Sequence, residues 1–266
     1  MKIIYILFII PLFCFSQTSN IGYVEYTYKI PREKPLYKNS FLYFNDSTSV
    51  FIYNKINSKN YNKTNVKTKN DGGLSVKFEN SDKEGSQVYR DYKNKKITLR
   101  IAKSSLFEDF IVIDTWIPIK WKIKNEFKKI GKYKCQKAVG DFRGRTYTAW
   151  FTEEIPLPYG PWKLFGLPGL ILEAEDSEQM FKAEFKSIKY PCDCAFAFNK
   201  PNATETKTLK EYVEFKDNIN DYVFKKLKSR MPRKFANRMR KKPKKENGRK
   251  YRDEKIFEWE IEKKKN

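Results

Sequence analysis

Residues 160–172 read Gly-Pro-Trp-Lys-Leu-Phe-Gly-Leu-Pro-Gly-Leu-Ile-Leu, and this run restricts its own folding more tightly than any other part of the chain. Gly160, Gly166 and Gly169, with Pro161 and Pro168, oppose a helix. The residues between these breakers include Trp162, Leu164, Phe165 and Leu167, too apolar for a solvent loop. A rigid, buried turn running straight into an apolar strand satisfies both constraints. In that reading Leu170 and Leu172 face one side of the strand, with Ile171 and Glu173 on the other. A functional alternative makes Trp162, Phe165 and Leu167 the rim of a ligand pocket at a barrel mouth. Lys163 is the only side chain of the run able to move a proton.

The flanking sequence calls for strands. The chain holds 21 Phe and 17 Tyr, and aromatic residues favour pleated, half-buried surfaces. Short alternating segments recur at residues 23–30, 41–45, 49–53, 87–92, 96–102, 117–123, 133–139 and 146–151. Two tight turns are expected, at Asn94-Lys95 and at Arg143-Gly144-Arg145. Residues 180–186 alternate most cleanly, with Phe181, Ala183 and Phe185 on one face and Lys182, Glu184 and Lys186 on the other. Residues 54–80, rich in Asn, Lys, Ser and Thr, read as a mobile loop. About ten strands with regular turn signals predict a mainly β fold: a single curved antiparallel sheet or half-barrel.

Near Asn199 the pattern changes. Residues 208–227 space their apolar side chains as an amphipathic helix does. Residues 222–252 carry fifteen Lys or Arg against the single acid Glu246, most of the excess in a chain of net charge +23. Pro232, Pro243 and Gly248 interrupt this block, so a helix followed by an extended tail is expected, ending in the apolar patch Ile256, Phe257, Trp259 and Ile261. The domain organisation expected is a signal peptide at 1–16, an antiparallel β domain at 17–198, and a helical or extended, strongly basic segment at 199–266. The leader reading rests on Lys2, an apolar run to Phe15, and a cleavage pattern before Gln17.

Export permits a disulfide. After removal of the leader Cys135, Cys192 and Cys194 remain; Cys135 paired with Cys192 or Cys194 is the natural arithmetic, and three free thiols are the alternative. The sequence contains no histidine, which removes Ser-His-Asp and Cys-His catalysis and histidine-ligated zinc. The Cys192-Asp193-Cys194 spacing is too short for a usual zinc or redox motif. No cofactor and no metal site are expected.

Four elements in order carry a family resemblance: Tyr133-Lys134-Cys135-Gln136-Lys137-Ala138, then Phe142-Arg143-Gly144-Arg145, then Tyr147-Thr148-Ala149-Trp150-Phe151, and Ile155-Pro156 followed by the run at 160–172. Over residues 132–176 the chain resembles the GLPGLI family of exported Bacteroidetes proteins, whose activity is unassigned. The resemblance implies a cell-envelope location, in the periplasm or at the outer-membrane surface. The strand order is similar to the half-barrel of periplasmic lipoprotein carriers, an analogy of fold that confers no function.

Candidate chemistry is sparse. Arg143 and Arg145 could clamp a carboxylate or phosphate, but exposed hairpin charges are the favoured reading; a further alternative stacks Trp150 on one of them. Glu154 and Glu173 could meet across neighbouring strands as a hydrolytic carboxylate pair, although solvated strand-end charges explain them more simply. The basic block at 222–252 would attract anionic lipid or lipopolysaccharide phosphates, while nucleic acid is a poor partner for an exported chain. Together these features predict a non-enzymatic envelope protein that binds or scaffolds an apolar ligand or a partner protein. The alternative is a carboxylate-based hydrolase of envelope glycans or peptides.

Overall fold

The computed structural model describes residues 21–30, 36–55, 65–68, 74–77, 82–104, 106–230, 233–237, 249–250 and 252–263. The expected leader at 1–16 and most of the basic block beyond Asn237 lie outside these residues.

The chain is mainly β. In order come β1 (Gly22–Ile30), β2 (Leu36–Phe44), β3 (Thr48–Tyr53), β4 (Asn65–Thr68), β5 (Leu74–Lys77), β6 (Ser86–Asp91), β7 (Lys96–Ile101), β8 (Phe110–Asp114) and β9 (Lys122–Ile130). They are followed by β10 (Tyr133–Phe142), β11 (Arg145–Thr152), β12 (Leu170–Asp176), β13 (Lys182–Lys189) and β14 (Thr206–Thr208). Helices α1 (Leu209–Asp217), α2 (Ile219–Arg230), α3 (Arg233–Ala236) and α4 (Glu258–Glu262) complete the described chain. Twelve strands form one sheet in the order β14-β8-β7-β6-β3-β2-β1-β13-β12-β11-β10-β9, and β4 pairs with β5 apart from it. Every pairing in the large sheet is antiparallel except β14 with β8.

The sheet is not closed, yet chain length requires it to roll. Strands β8 and β9 lie ten steps apart in the strand order, about 48 Å in a flat sheet at the usual strand spacing. The connector at residues 115–121 joins Asp114 to Lys122 and can span at most about 28 Å even when fully extended. The two margins must therefore approach, and the connector crosses between them. This crossing replaces the strand expected at 117–123: Ile119 and Trp121 pack against Gly140 of β10, Trp121 donates its indole N–H to Phe165 O at 2.8 Å, and regular pairing begins only at Lys122.

Register identifies the concave face. Aligned positions place Tyr26, Tyr28, Leu42, Phe44, Phe51, Val88, Leu99, Val112, Ala149, Ala174 and Ala183 on one side of the sheet, and all are buried. The residues between β11 and β12 fill this concavity. Tyr159 packs on Phe44 and Tyr92, Trp162 on Phe142, Tyr147 and Phe181, and Phe165 on Tyr92 and Trp116. The buried turn expected at 160–172 is therefore present as a plug inside the roll. Leu170, Ile171 and Leu172 are all buried, so β12 is covered along both faces at its start.

Several local expectations hold. Arg143 and Gly144 have φ of 44° and 79°, the two left-handed positions of a tight hairpin turn. Strands β6 and β7 form the expected hairpin, with the Asn94 amide bonded to Asp91 Oδ1 at 3.0 Å. The expected helical segment also begins at 208, where Thr208 and Glu211 form a capping box that the spacing alone does not indicate. Others are corrected. The helix expected over 208–227 is divided into α1 and α2, with Asn218 closing α1. Within 54–80, the described residues 65–68 and 74–77 pair as a small hairpin instead of forming an open loop.

The expected pairing of Cys135 is also corrected. Cys192 is bridged to Cys194, and Cys135 is a free thiol buried on β10. Strands β11 and β12 separate β10 from β13, whose end leads to Cys192, a gap of about 14 Å that no disulfide can span. Burial pushes the Cys135 thiol up to about 12, which keeps it protonated and unreactive near neutral pH.

Strand β9 forms one margin of the sheet and is exposed from Lys122 to Phe127. Its lysines, and a bulge where Gln136 Nε2 donates to Lys124 O at 2.9 Å, blunt this edge against further pairing.

Gly169 tests the plug's close fit. A Cβ there would lie 2.1 Å from Thr152 O and 2.6 Å from Thr152 C, both backbone atoms. Gly169→Ala should cost about 2 kcal/mol or more, the range of a clash that a packed core cannot relieve. Urea unfolding measures this, and a change below about 0.5 kcal/mol would show that the plug is not clamped to β11.

Candidate functional site

At one end of the roll, buried charges replace apolar packing. Asp114 ends β8 on the concave face, aligned with Ile97. Arg143 projects from the β10–β11 turn, and Lys163 from the plug. Glu254 belongs to a C-terminal strap, described at Lys250 and residues 252–258, that crosses this end of the sheet. The side chains of Asp114, Arg143 and Lys163 are no more than 2% exposed, and that of Glu254 is 11% exposed.

The partners are shared. Asp114 accepts from Arg143 Nη2 at 2.8 Å and pairs with Lys163 Nζ at 2.6 Å. Glu254 Oε1 accepts from Lys163 Nζ at 2.7 Å and also from Arg143 Nη1. Arg143 Nε donates to Glu258 at 2.8 Å. Burial alone would raise the pKa of Asp114, but the Lys163 and Arg143 cations outweigh it and hold the carboxyl below its ordinary value.

A second set stands beside the first. The Arg145 side chain is fully buried against the equally buried Asp176. Its other donors reach strap carbonyls, Nε to Arg252 O at 2.7 Å and Nη2 to Lys250 O at 2.8 Å. Tyr147 Oη donates to Asp253 O at 2.7 Å. The amides of Lys255 and Ile256 donate to Arg143 O at 2.9 and 3.1 Å. Ile256 covers Gly144, where an added Cβ would meet it at 2.9 Å. Phe257 is buried and stacks on Trp259 at 4.9 Å.

Asp253 is the anomaly of this end. As a residue it is part-exposed, but its Oδ1 is buried with no hydrogen-bond partner among the described residues. Burial pushes its carboxyl up to about 6; Glu254 adds to the rise, while Lys216, Arg145 and Lys163 oppose it. Tyr28, Tyr53, Tyr147 and Tyr212 surround it, and their hydroxyls are pushed up first by burial and further by this carboxylate. Lys216 is pushed down by burial and by Arg252.

The residues expected at a binding rim are thus placed as follows. Trp162, Phe165 and Leu167 are buried in the plug and line no open mouth. Arg143 and Arg145 are not exposed hairpin charges, because the strap and the inward-facing Asp114 and Asp176 enclose them. Trp150 does not stack on either arginine; it receives the Lys128 ammonium at 4.5 Å from its ring. Glu154 is exposed and accepts from the Lys134 amide at 2.8 Å, and half-buried Glu173 pairs with Lys128 at 2.5 Å. Asp114, Lys163, Asp253 and Glu254 were not singled out as a set from sequence. Only the isolated lysine within an apolar run hinted at them, since a buried ammonium requires a carboxylate. A cavity of about 410 Å³ lies between α1 and α4, lined by Lys210, Asp217, Arg249 and Trp259 among others.

A family model described as "Protein of unknown function (Porph_ging)" matches residues 142–173, which run from the Arg143 turn through the plug into β12. No curated protein matches the chain. Among solved structures it is similar to PNGF-II in space group P21, with 18% identity, a TM-score of 0.51, and coverage of 78% of this chain and 34% of that one. PNGF-II in space group C2 gives 20% identity, a TM-score of 0.49, and coverage of 78% and 33%. The chain spans about a third of that structure's length, and at this identity the likeness concerns the fold alone.

Two outcomes test this description. Lys163→Met leaves Asp114 and Glu254 sharing Arg143 and should destabilise the fold by about 3 kcal/mol in urea, as loss of one member of a buried ion set does; a change near zero would contradict the pairing. The second concerns pH. Asp253 has a folded pKa of about 6 against an ordinary 3.8, so its neutral form is favoured in the fold. Its contribution is complete below about pH 4 and is lost as pH rises towards 6. The melting temperature of the wild type should therefore fall across this window relative to Asp253→Asn, whereas parallel profiles would contradict the assignment.

Proposed function

We propose that this chain is a non-enzymatic envelope protein that scaffolds or binds a partner protein, with its strap-covered end as the working surface. The observation that carries the reading is the filled concave face. Tyr159, Trp162, Lys163, Leu164 and Phe165 occupy the space in which a carrier of the half-barrel type would hold an apolar ligand. Partner binding is accordingly favoured over internal ligand storage.

The hydrolase reading has less support. Glu154 and Glu173 are each engaged with a neighbouring lysine residue, and Glu154 is exposed. The resemblance to the exported GLPGLI family supports an envelope location, in the periplasm or at the outer-membrane surface. No described helix is long and apolar enough to cross a membrane. The exposed Lys225 and Lys228 of α2 belong to the basic block through which the chain would meet anionic lipid or lipopolysaccharide.

Ile256 and Ile261 are 42% and 48% exposed beside the charged set, an apolar patch suited to contact with a partner. A photo-reactive residue placed at each position in the native cell should yield the same discrete adduct. The absence of an adduct from both would contradict partner binding at this end.

A further inference from the structure

We infer that the strap is a built-in occupant of a peptide-binding seat, and that the seat takes an extended acidic segment of a partner protein in its place. This rests on the partner-binding reading above and names the chemistry of the partner.

The seat belongs to the sheet and plug. Without the strap, Arg143 and Lys163 would share the one inward carboxylate of Asp114, leaving a cation uncompensated in a closed site. Arg145 would keep Asp176 but lose two carbonyl acceptors. An occupant must therefore bring a carboxylate to Arg143 and Lys163 and an extended backbone to Arg145 and Tyr147. Glu254 and the carbonyls of Lys250, Arg252 and Asp253 supply these now. All four seat residues fall within the stretch matched by the family model, residues 142–173, and the strap falls outside it.

The strap buries little of itself. Between 252 and 263 only Glu254 and Phe257 are buried, whereas the plug buries every residue from Tyr159 to Phe165. It adds no strand to the sheet; its amide contacts with the turn are the two at Arg143 O. Asp253 adds little to the docking, since its buried Oδ1 has no partner among the described residues and its side chain meets only the Tyr28 hydroxyl by a hydrogen bond. Its remaining holds are mostly part-exposed: Glu258 on Arg143, Arg252 on Asp217 and Lys255 on Glu178. A segment held by such pairs, one buried carboxylate, one buried ring and a few main-chain bonds opens locally without unfolding the sheet. A competitor needs to exceed only that local free energy.

The test uses the full chain carrying Glu254→Gln and Phe257→Ala, which loosens the strap, and a fluorescent synthetic peptide of residues 252–263. Anisotropy at physiological salt should show the peptide binding this variant at least tenfold more tightly than the wild type. It should also bind tenfold more tightly than a scrambled peptide of the same composition, which controls for the chain's general positive charge. Equal binding of the scrambled peptide, or no binding to a variant that keeps its near-ultraviolet dichroism, would overturn the proposal. Should the variant fail to fold, hydrogen exchange of the wild type decides. The Lys255 and Ile256 amides should exchange at least a hundredfold faster than the ladder amides of β10 and β11, and equal protection would overturn the proposal. A partner adduct from Ile256 or Ile261 together with a negative peptide result would retain the function and reject only the seat.

Discussion

Asp114, Arg143, Lys163 and Glu254 bring together four parts of the chain that sequence holds far apart: the end of β8, the β10–β11 turn, the plug and the strap. In the strand order the Arg143 turn is at least eight steps from β8, about 38 Å in a flat sheet, yet Arg143 and Asp114 meet at 2.8 Å. The rolled sheet, the inserted plug and the crossing strap must all be in place for this contact to exist. Buried ion pairs contribute little net stability beside the apolar packing they displace. Their effect is selective, because any arrangement that leaves the plug outside the roll strands Lys163 without its carboxylates.

That selectivity explains how an unclosed sheet remains a defined object. The apolar plug supplies the packing, with Tyr159 on Phe44 of β2, Trp162 on Phe142 of β10 and Tyr147 of β11, and Phe165 on Tyr92 just past β6. The ionic set fixes where the plug stops. The two margins are treated differently. Strand β14 is three residues long and leads directly into α1, while β9 is long but carries lysines and a bulge. The strap end combines buried cations, a desolvated carboxyl and exposed apolar side chains in one place.

Much of this architecture was legible in the residues. Alternation at 180–186 gave β13 because one face is wet and the other dry, and the Gly/Pro spacing at 160–172 required a buried turn. Residues 117–123 misled because Ile117, Ile119 and Trp121 alternate like a strand while crossing between margins, a consequence of rolling that periodicity does not encode. Arg143 and Arg145 looked like hairpin charges because their carboxylate partners, Asp114, Asp176 and Glu254, lie 29, 31 and 111 positions away. A cysteine count favours a long-range pairing of Cys135, but the strand order forbids it and Cys192 bridges Cys194. Local pattern reports which face a residue takes; it does not report which distant charge it meets there.

If the roll depends on this contact, Arg143 and Asp114 are energetically coupled, and a double-mutant cycle measures this most directly. Urea unfolding of Arg143→Met, Asp114→Leu and the double variant should give a coupling free energy of about 1 kcal/mol or more, with the double variant more stable than the sum of the single losses. Additive losses, with coupling near zero, would mean that the two groups do not meet and that the sheet is held in its roll by something else.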